Sequence, residues 1–448
     1  MLGGYLQNAI HFASNVLPLG FDLFFEVITM HMHLPEQETK DALQTTSSFI
    51  KWIYISICTG LFGGIVGICF HKSVDFATEL RIEDPRLLFL LPVAGILIVA
   101  FYHVTHMEHG NTNAIIDSIH FGQKVPLILL PAIYLGTFLT HLCGGSAGRE
   151  GAALQIGGSI GWCVGQIFIL DEKDMRIATL SGMSAVFAAL FGTPITAAIF
   201  ALEVISVGIV YYSGLIPCLI SALIAFWLSE LFGVIPTHFN IMIQPMGDLV
   251  FIKVVLLALF CCLLSVVFCY TLHKTEHFLA SFMKNPYLRI VVGALIIVGL
   301  SYALGTTDYN GAGMDVIRNA VEHGKARPLA FFFKLLFTAI TIGCGFKGGE
   351  VVPSFFIGAT FGCVMGPLLG LSPGFSAAIG LICVFCGAVN CPIASLLLSI
   401  ELFGSAYLVY FAIACGISFT LSGYVGLYSS QKIVYSKIKA EFIDIYAK

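Results

Sequence analysis

From Ile50 onward the chain offers one apolar segment after another, beginning near Ile50, Leu87, Pro126, Ala153, Thr179, Ser213, Phe251, Arg289, Leu329, Pro353, Ala377, Cys391 and Ala406. A helix needs ~20 apolar residues to cross a bilayer. In lipid every backbone polar group must be satisfied internally, so crossing segments are helices or closed barrels. Several segments here are too short or are broken by Gly and Pro. Broken segments are tolerated only where the backbone lines a protein-enclosed cavity. The expected fold is therefore an all-α integral membrane protein with a transporter or channel core. Composition agrees: 58% of residues are hydrophobic and 11% charged, where soluble domains carry roughly 25% charged residues.

The segments repeat. "GNTNAIIDSIHFGQKVP" from Gly110 answers to "GAGMDVIRNAVEHGKARP" from Gly311. "GGSAGREGAALQIGGSIG" answers to "GCGFKGGEVVPSFFIGATFG", and "AALFGTPITAAIFALEV" to "GAVNCPIASLLLSIELF". Pro194 precedes Glu203 by the interval that separates Pro392 from Glu401. The anchors keep their order, which predicts two structurally equivalent halves, 50–233 and 250–435, joined by a linker at 234–249. Helices interrupted at matching places put a substrate site between the halves, near mid-membrane.

Other features exclude alternatives. The net charge of −4 has no polybasic tract behind it, so no nucleic-acid partner is expected. Most of the fourteen cysteines lie in apolar runs and read as small hydrophobes. "CVFC", Cys383 to Cys386, lacks a second pair, so neither a metal nor a cofactor is expected. "HMH" at 31–33 reads as interfacial. No cleavable signal peptide is expected. Residues 1–49 read as an N-terminal helix lying on or partly in the membrane and a polar linker. The final segment, "QKIVYSKIKAEFIDIYAK", reads as a short tail whose end, 436–448, is a solvated last turn.

The central question is "HLCGGSAGREGAALQIGGSIG", where Arg149 and Glu150 sit side by side among glycines. "GGSAG" fits the G-x-S-x-G nucleophile elbow, but no strand precedes it and no triad partners follow, so an enzyme is not expected. A glycine-rich loop opening a helix instead leaves unpaired N–H groups converging on one spot, with the positive end of the helix dipole behind them. That is an anion site. Each half supplies one, at Gly148–Gly151 and at Gly348–Val351. Glu150, itself an anion, can occupy the site its neighbours build, and protonation would release it. Competition between this carboxylate and a transported anion couples anion movement to a proton. The plainer alternative is a glutamate that only pairs with Arg149.

These residues resemble the CLC family of chloride channels and proton-coupled anion antiporters. "GREGA" is similar to the family's GREGP, "GGEVVP" to its GGIFAP, and "GLYSS" to its tail motif with the central tyrosine. The resemblance covers residues 50–435. It implies a homodimer in a bacterial plasma membrane, each subunit with its own pore, built from two inverted repeats of tilted, broken helices. It also implies that Glu150 is the gating glutamate and that Tyr428 binds the central anion by its hydroxyl. Glu350 and Val351 would bind it by backbone N–H. Asn111 stands where chloride-transporting members have an anion-binding serine. Around these lie Gly148, Arg149, Gly151, Gly349 and Val352. No CBS domains are expected, because the chain stops soon after Tyr428.

The departures bear on which anion is carried. Asn111 replaces serine, Glu350 adds an acid to the second anion loop, and Val204 stands where proton-coupled chloride transporters carry an internal glutamate. Together they resemble the fluoride-exporting branch of the family. Valine at 352 departs from that branch, which commonly has a hydroxyl residue there. An Asn amide also suits a small, strongly hydrated ion, offering two donors where serine offers one. The expected function is fluoride/proton antiport, with chloride or mixed-halide transport, coupled or passive, as the alternative. Glu350 admits two roles: it carries a proton through much of the cycle, or it anchors its loop, facing Lys347.

Overall fold

The computed structural model describes residues 36–448 apart from 109, 242–246 and 248. The leading apolar stretch and "HMH" lie outside the described residues. The chain divides at Trp52, and the large unit, Ile53–Lys448, carries the features below.

Sixteen α-helices form among the described residues, and they fall into two matching sets of eight. The first set is α1 (Glu36–Glu83), α2 (Leu91–Val104), α3 (Thr112–Phe121), α4 (Leu129–Leu142), α5 (Glu150–Ile167), α6 (Glu172–Phe191), α7 (Pro194–Glu203) and α8 (Leu215–Leu231). The second is α9 (Val250–Phe282), α10 (Pro286–Leu304), α11 (Met314–Glu322), α12 (Ala330–Gly343), α13 (Val351–Leu368), α14 (Pro373–Val389), α15 (Pro392–Phe403) and α16 (Leu408–Leu421). Seven helical spans are long and apolar enough to cross a membrane. The polar stretch from Glu36, expected as a linker, is instead helical and forms the first turns of α1; its Glu, Gln, Lys and Ala are good helix formers.

Equivalent helices share their stop signals. α6 ends at Gly192 (φ 74°) and α14 at Asn390 (φ 59°), both left-handed. A proline then opens the next helix in each half, at Pro194 and Pro392. Left-handed C-caps followed by proline at the first helical position are a strong stop-and-restart signal.

The halves are inverted relative to each other. Glu203, at the C-terminal end of α7, accepts hydrogen bonds from Ile393 N (3.2 Å) and Ala394 N (2.8 Å) in the first turn of α15. Glu401, near the C-terminal end of α15, accepts from Ile195 N (3.0 Å) and Thr196 N (2.8 Å) in the first turn of α7. The two helices therefore run antiparallel, each capped by the other, as a two-fold axis in the membrane plane requires. Both carboxylates sit against the positive ends of helix dipoles.

The core lies where α5 meets α6 and α13 meets α14. The α6 window is 83% buried and the α13 window 72%, against 28% for α10 at the lipid-facing periphery. Glycines let these pairs touch backbone to backbone. A Cβ on Gly161 would fall on the Ala178 carbonyl, and one on Gly362 on that of Ser376.

The tail differs from expectation. Residues after Tyr428 form β2 (Lys432–Tyr435) and β3 (Phe442–Tyr446). These pair antiparallel, and β2 pairs parallel with β1 (Ser206–Val207). Ile433 and Val207 pack with Ala447 in a small buried cluster. The alternating Ile443 and Ile445 of "FIDIY" and the β-branched pair Ile433 and Val434 of "KIVY" favour strands, so the tail does not end in the expected solvated last turn.

Replacing Gly161 with alanine should force α5 and α6 apart and cost about 1–3 kcal/mol, the usual range for overpacking. The same change at Gly299 or Gly416, where nothing lies within 4 Å of the added methyl, should be neutral. Thermal melting of the three variants, followed by size-exclusion chromatography in detergent, separates these outcomes.

Candidate functional site

The two anion loops meet head to head. Gly148 N donates to Gly349 O and Gly349 N to Gly148 O, each at 2.7 Å, an isolated antiparallel bridge between the halves. A side chain on Gly151 would lie 2.9 Å from Gly349 Cα, and one on Gly348 would strike Ala147. Glycine is needed here for close approach, not for unusual dihedrals. The bridge brings the N-termini of α5 and α13 to one place, so two sets of unpaired N–H groups face the same small volume.

Glu150 fills that volume. It is 1% exposed. Its Oε2 accepts from Arg149 N at 2.9 Å, and Val352 of the other half lines the same cavity. The side-chain pairing with Arg149 is a long one. Arg149 Nε stays 3.9 Å from Oε1, while Nη1 is committed to Asp75, which also takes His71 Nε2 at 2.9 Å. Asp75 lies far away in sequence and was not legible as part of the site.

Two separate cavities lie beside these loops. One, of about 380 Å³, is lined by Asn111, Gln155, Lys347, Glu350 and Tyr428 and lies next to the start of the tail. The other, of about 470 Å³, is lined by Asp75, Arg81, His141, Arg149, Glu150 and Val352. Glu150 borders only the second, and Glu350 and Tyr428 only the first. Glu150 and the pair Glu350 and Tyr428 thus border different cavities.

On the tail side, Tyr428 is 2% exposed and its hydroxyl has no hydrogen-bond partner. A buried, unpartnered phenol is costly unless a ligand accepts its proton. Asn111 is the N-cap of α3, its Oδ1 accepting from Ala114 N at 3.0 Å. That bond fixes the amide so that its NH₂ is left as the donor bordering the vestibule. Gln155 was missed: its Nε2 donates to Thr112 Oγ1 at 3.2 Å while its buried Oε1 has no partner. No sequence motif marks it, because a single Gln in α5 reads as a tolerated polar residue.

Glu350 borders the tail-side vestibule, and a Cβ on Gly151 would lie 3.4 Å from its Oε2. Among the described residues no ion pair joins it to Lys347, whose amine lies over the Tyr102 ring at 4.1 Å. Val204 is fully buried, and its carbonyl accepts from Gln431 Nε2 at 3.0 Å.

Residues 96–423 match the family model described as voltage gated chloride channel. The chain belongs to this family. It is 37% identical over 397 residues to a chloride/fluoride channel protein of Pseudomonas syringae pv. tomato, covering 86% of this chain and 87% of that one. It is 24% identical to the H(+)/Cl(−) exchange transporter ClcA of Vibrio cholerae, covering 85% of this chain and 88% of the relative. The crystal structure of a CLC-type fluoride/proton antiporter superposes with a TM-score of 0.82 at 32% identity, covering 86% of this chain and 98% of that one. A slow cyanobacterial Cl−/H+ antiporter shares the fold at a TM-score of 0.70 and 19% identity, covering 83% and 94%. The fold expected of this family, two inverted helical repeats with broken helices, is the one observed.

Tyr428→Phe removes only the unpartnered hydroxyl. Losing a hydrogen bond to a charged partner costs ~1.5–3 kcal/mol, so halide affinity should fall tenfold or more. Asn111→Ser should in addition lower the fluoride-to-chloride preference. Calorimetric titration of the detergent-solubilised variants with each halide reads both effects, and unchanged affinities would place the anion elsewhere.

Proposed function

We propose that this protein exports fluoride across a bacterial plasma membrane in exchange for protons, working as a homodimer with one pore per subunit. The observation that carries the reading is the Glu150 carboxylate held between the two helix N-termini, with separate cavities beside the loops. A side-chain anion in an anion site is displaced by a transported anion or released by a proton, and either event frees the path. The helix ends and Tyr428 supply donors without a full positive charge at the centre, so the ion is held and still able to leave.

The similarity to a fluoride/proton antiporter over most of the chain supports fluoride as cargo, as do Asn111 and Glu350. The tail-side vestibule is read as cytoplasmic. Fluoride enters there past Asn111 and Tyr428 and leaves past Glu150 and Arg149. Glu350 is read as the proton relay toward the tail side. A fixed negative charge ~4 Å from the anion would oppose it by roughly 4 kcal/mol at an effective dielectric near 20, so the group must be neutral when the anion passes. Val204 offers no inner acid, and Lys347 stands over Tyr102 rather than pairing with Glu350.

Liposome efflux tests the function directly. With the membrane potential clamped by potassium and valinomycin, fluoride leaving loaded vesicles should drive protons inward, seen as alkalinisation outside, and chloride should leave much more slowly. Equal rates for both ions would favour mixed-halide transport, and fluoride efflux without proton uptake would favour a passive channel. In Glu150→Gln, which imitates the protonated gate permanently, a fluoride gradient should no longer drive protons uphill. Glu350→Gln should weaken proton coupling while Lys347→Met leaves it largely intact. Equal damage from both, with reduced folding yield, would assign Glu350 to anchoring its loop.

A further inference from the structure

Beside the vestibule that borders Glu150 lies a cationic cluster that the gate does not use. Lys334, in α12, is fully buried; its amine donates to the carbonyls of Tyr309 (3.2 Å) and Gly311 (2.6 Å) and lies 5.2 Å from the Phe356 ring. Arg81, in the last turn of α1, packs its guanidinium on the same turn: a Cβ on Gly311 would lie 3.0 Å from Nη2. Its Nε and Nη1 are buried and have no hydrogen-bond partner. Among the described residues neither cation forms an ion pair with a carboxylate.

A fully buried lysine beside a half-buried arginine, with no counter-ion, is an expensive arrangement, and each unmet buried donor adds to the penalty. Arg81 borders a side cavity of about 70 Å³, whose other walls are Ile82, Pro85, Leu88, Thr307 and Asn310. None of these is acidic. The Asn310 amide is already committed, donating to Gly144 O at 2.7 Å and accepting from Ser301 Oγ at 3.1 Å. Among the described residues that line the cavity, Arg81 is therefore the only charged one. Acidic groups do line the larger vestibule. Asp75 is held by Arg149 and His71, Asp308 by Arg327 at 3.4 Å, and Glu79 and Asp315 lie on its wall. None of them lines the side cavity.

The occupant this site fits carries a negative charge, accepts from two N–H groups at once and is small. A cavity of about 70 Å³ has room for a monatomic anion. We propose that Arg81 Nε and Nη1 hold a second halide, in a side site off the vestibule bordered by Glu150. An ion passing the gate then finds a cationic stop outside the central path, and the vestibule keeps a local halide supply despite its acidic wall.

The inference rests on halide transport, which wild-type liposome efflux judges independently of Arg81. Its own test is anomalous diffraction from crystals of the full chain grown in bromide. An anomalous peak beside Arg81 Nε and Nη1 is expected in the wild type and should vanish in Arg81→Met. Arg81→Lys, which keeps the charge and loses the planar fork, should retain a weaker peak and serves if the methionine variant does not fold. A wild-type map without bromide at Arg81 overturns the proposal, as does a peak that survives in Arg81→Met.

Discussion

The site depends on one pair of backbone hydrogen bonds, those exchanged by Gly148 and Gly349. They are short, reciprocal and made by residues without side chains. Any Cβ at Gly151 or Gly348 would push the loops apart. The bond pair places two helix N-termini in one small volume, and that proximity is what a single loop could not achieve. Each terminus contributes only about half an elementary charge and screens poorly over distance. Together at contact they hold the Glu150 carboxylate, and the same donors are available to a free anion.

The second determinant is the inversion of the halves. The helices α5 and α13 belong to oppositely oriented halves, and two separate cavities lie beside their loops. Glu150 borders one, and Tyr428 and Glu350 border the other. Acids of two kinds are thereby separated. Glu203 and Glu401 are spent on capping helices and stay fixed, whereas Glu150 and Glu350 border space into which they can turn.

Much of this was legible in the sequence, and the losses have physical reasons. The repeat, the glycine loops and the prolines opening α7 and α15 announced themselves because each needs a particular residue type. The short helices α3, α7 and α11 were not counted among the apolar segments. At 10, 10 and 9 residues they are too short to show a spanning pattern. The tail, expected to end in a solvated last turn, pairs as strands instead. Within the site, residues whose role lies in local backbone chemistry were readable: Gly148, Glu150, Gly349. Those that act through a distant partner were not. Asp75 meets Arg149 across 74 positions, and Gln155 meets Thr112 across 43. No local signal marks either pair. Lys347 was read as a neighbour for Glu350 because it is near in sequence, yet an aromatic ring holds its amine instead.

The crossed caps of α7 and α15 bear on how the molecule is made. Glu203 reaches its partner backbone 190 and 191 positions away, and Glu401 reaches back across 205 and 206. While the first half is being inserted, the start of α7 has bare N–H groups and Glu203 has no helix to cap, in a medium that offers no water to either. Both defects are repaired in a single step, when α15 arrives. The first repeat is thus an unfinished object until the second exists. Its maturation is a late, long-range closure, and the lipid or the insertion machinery must tolerate the open end until then.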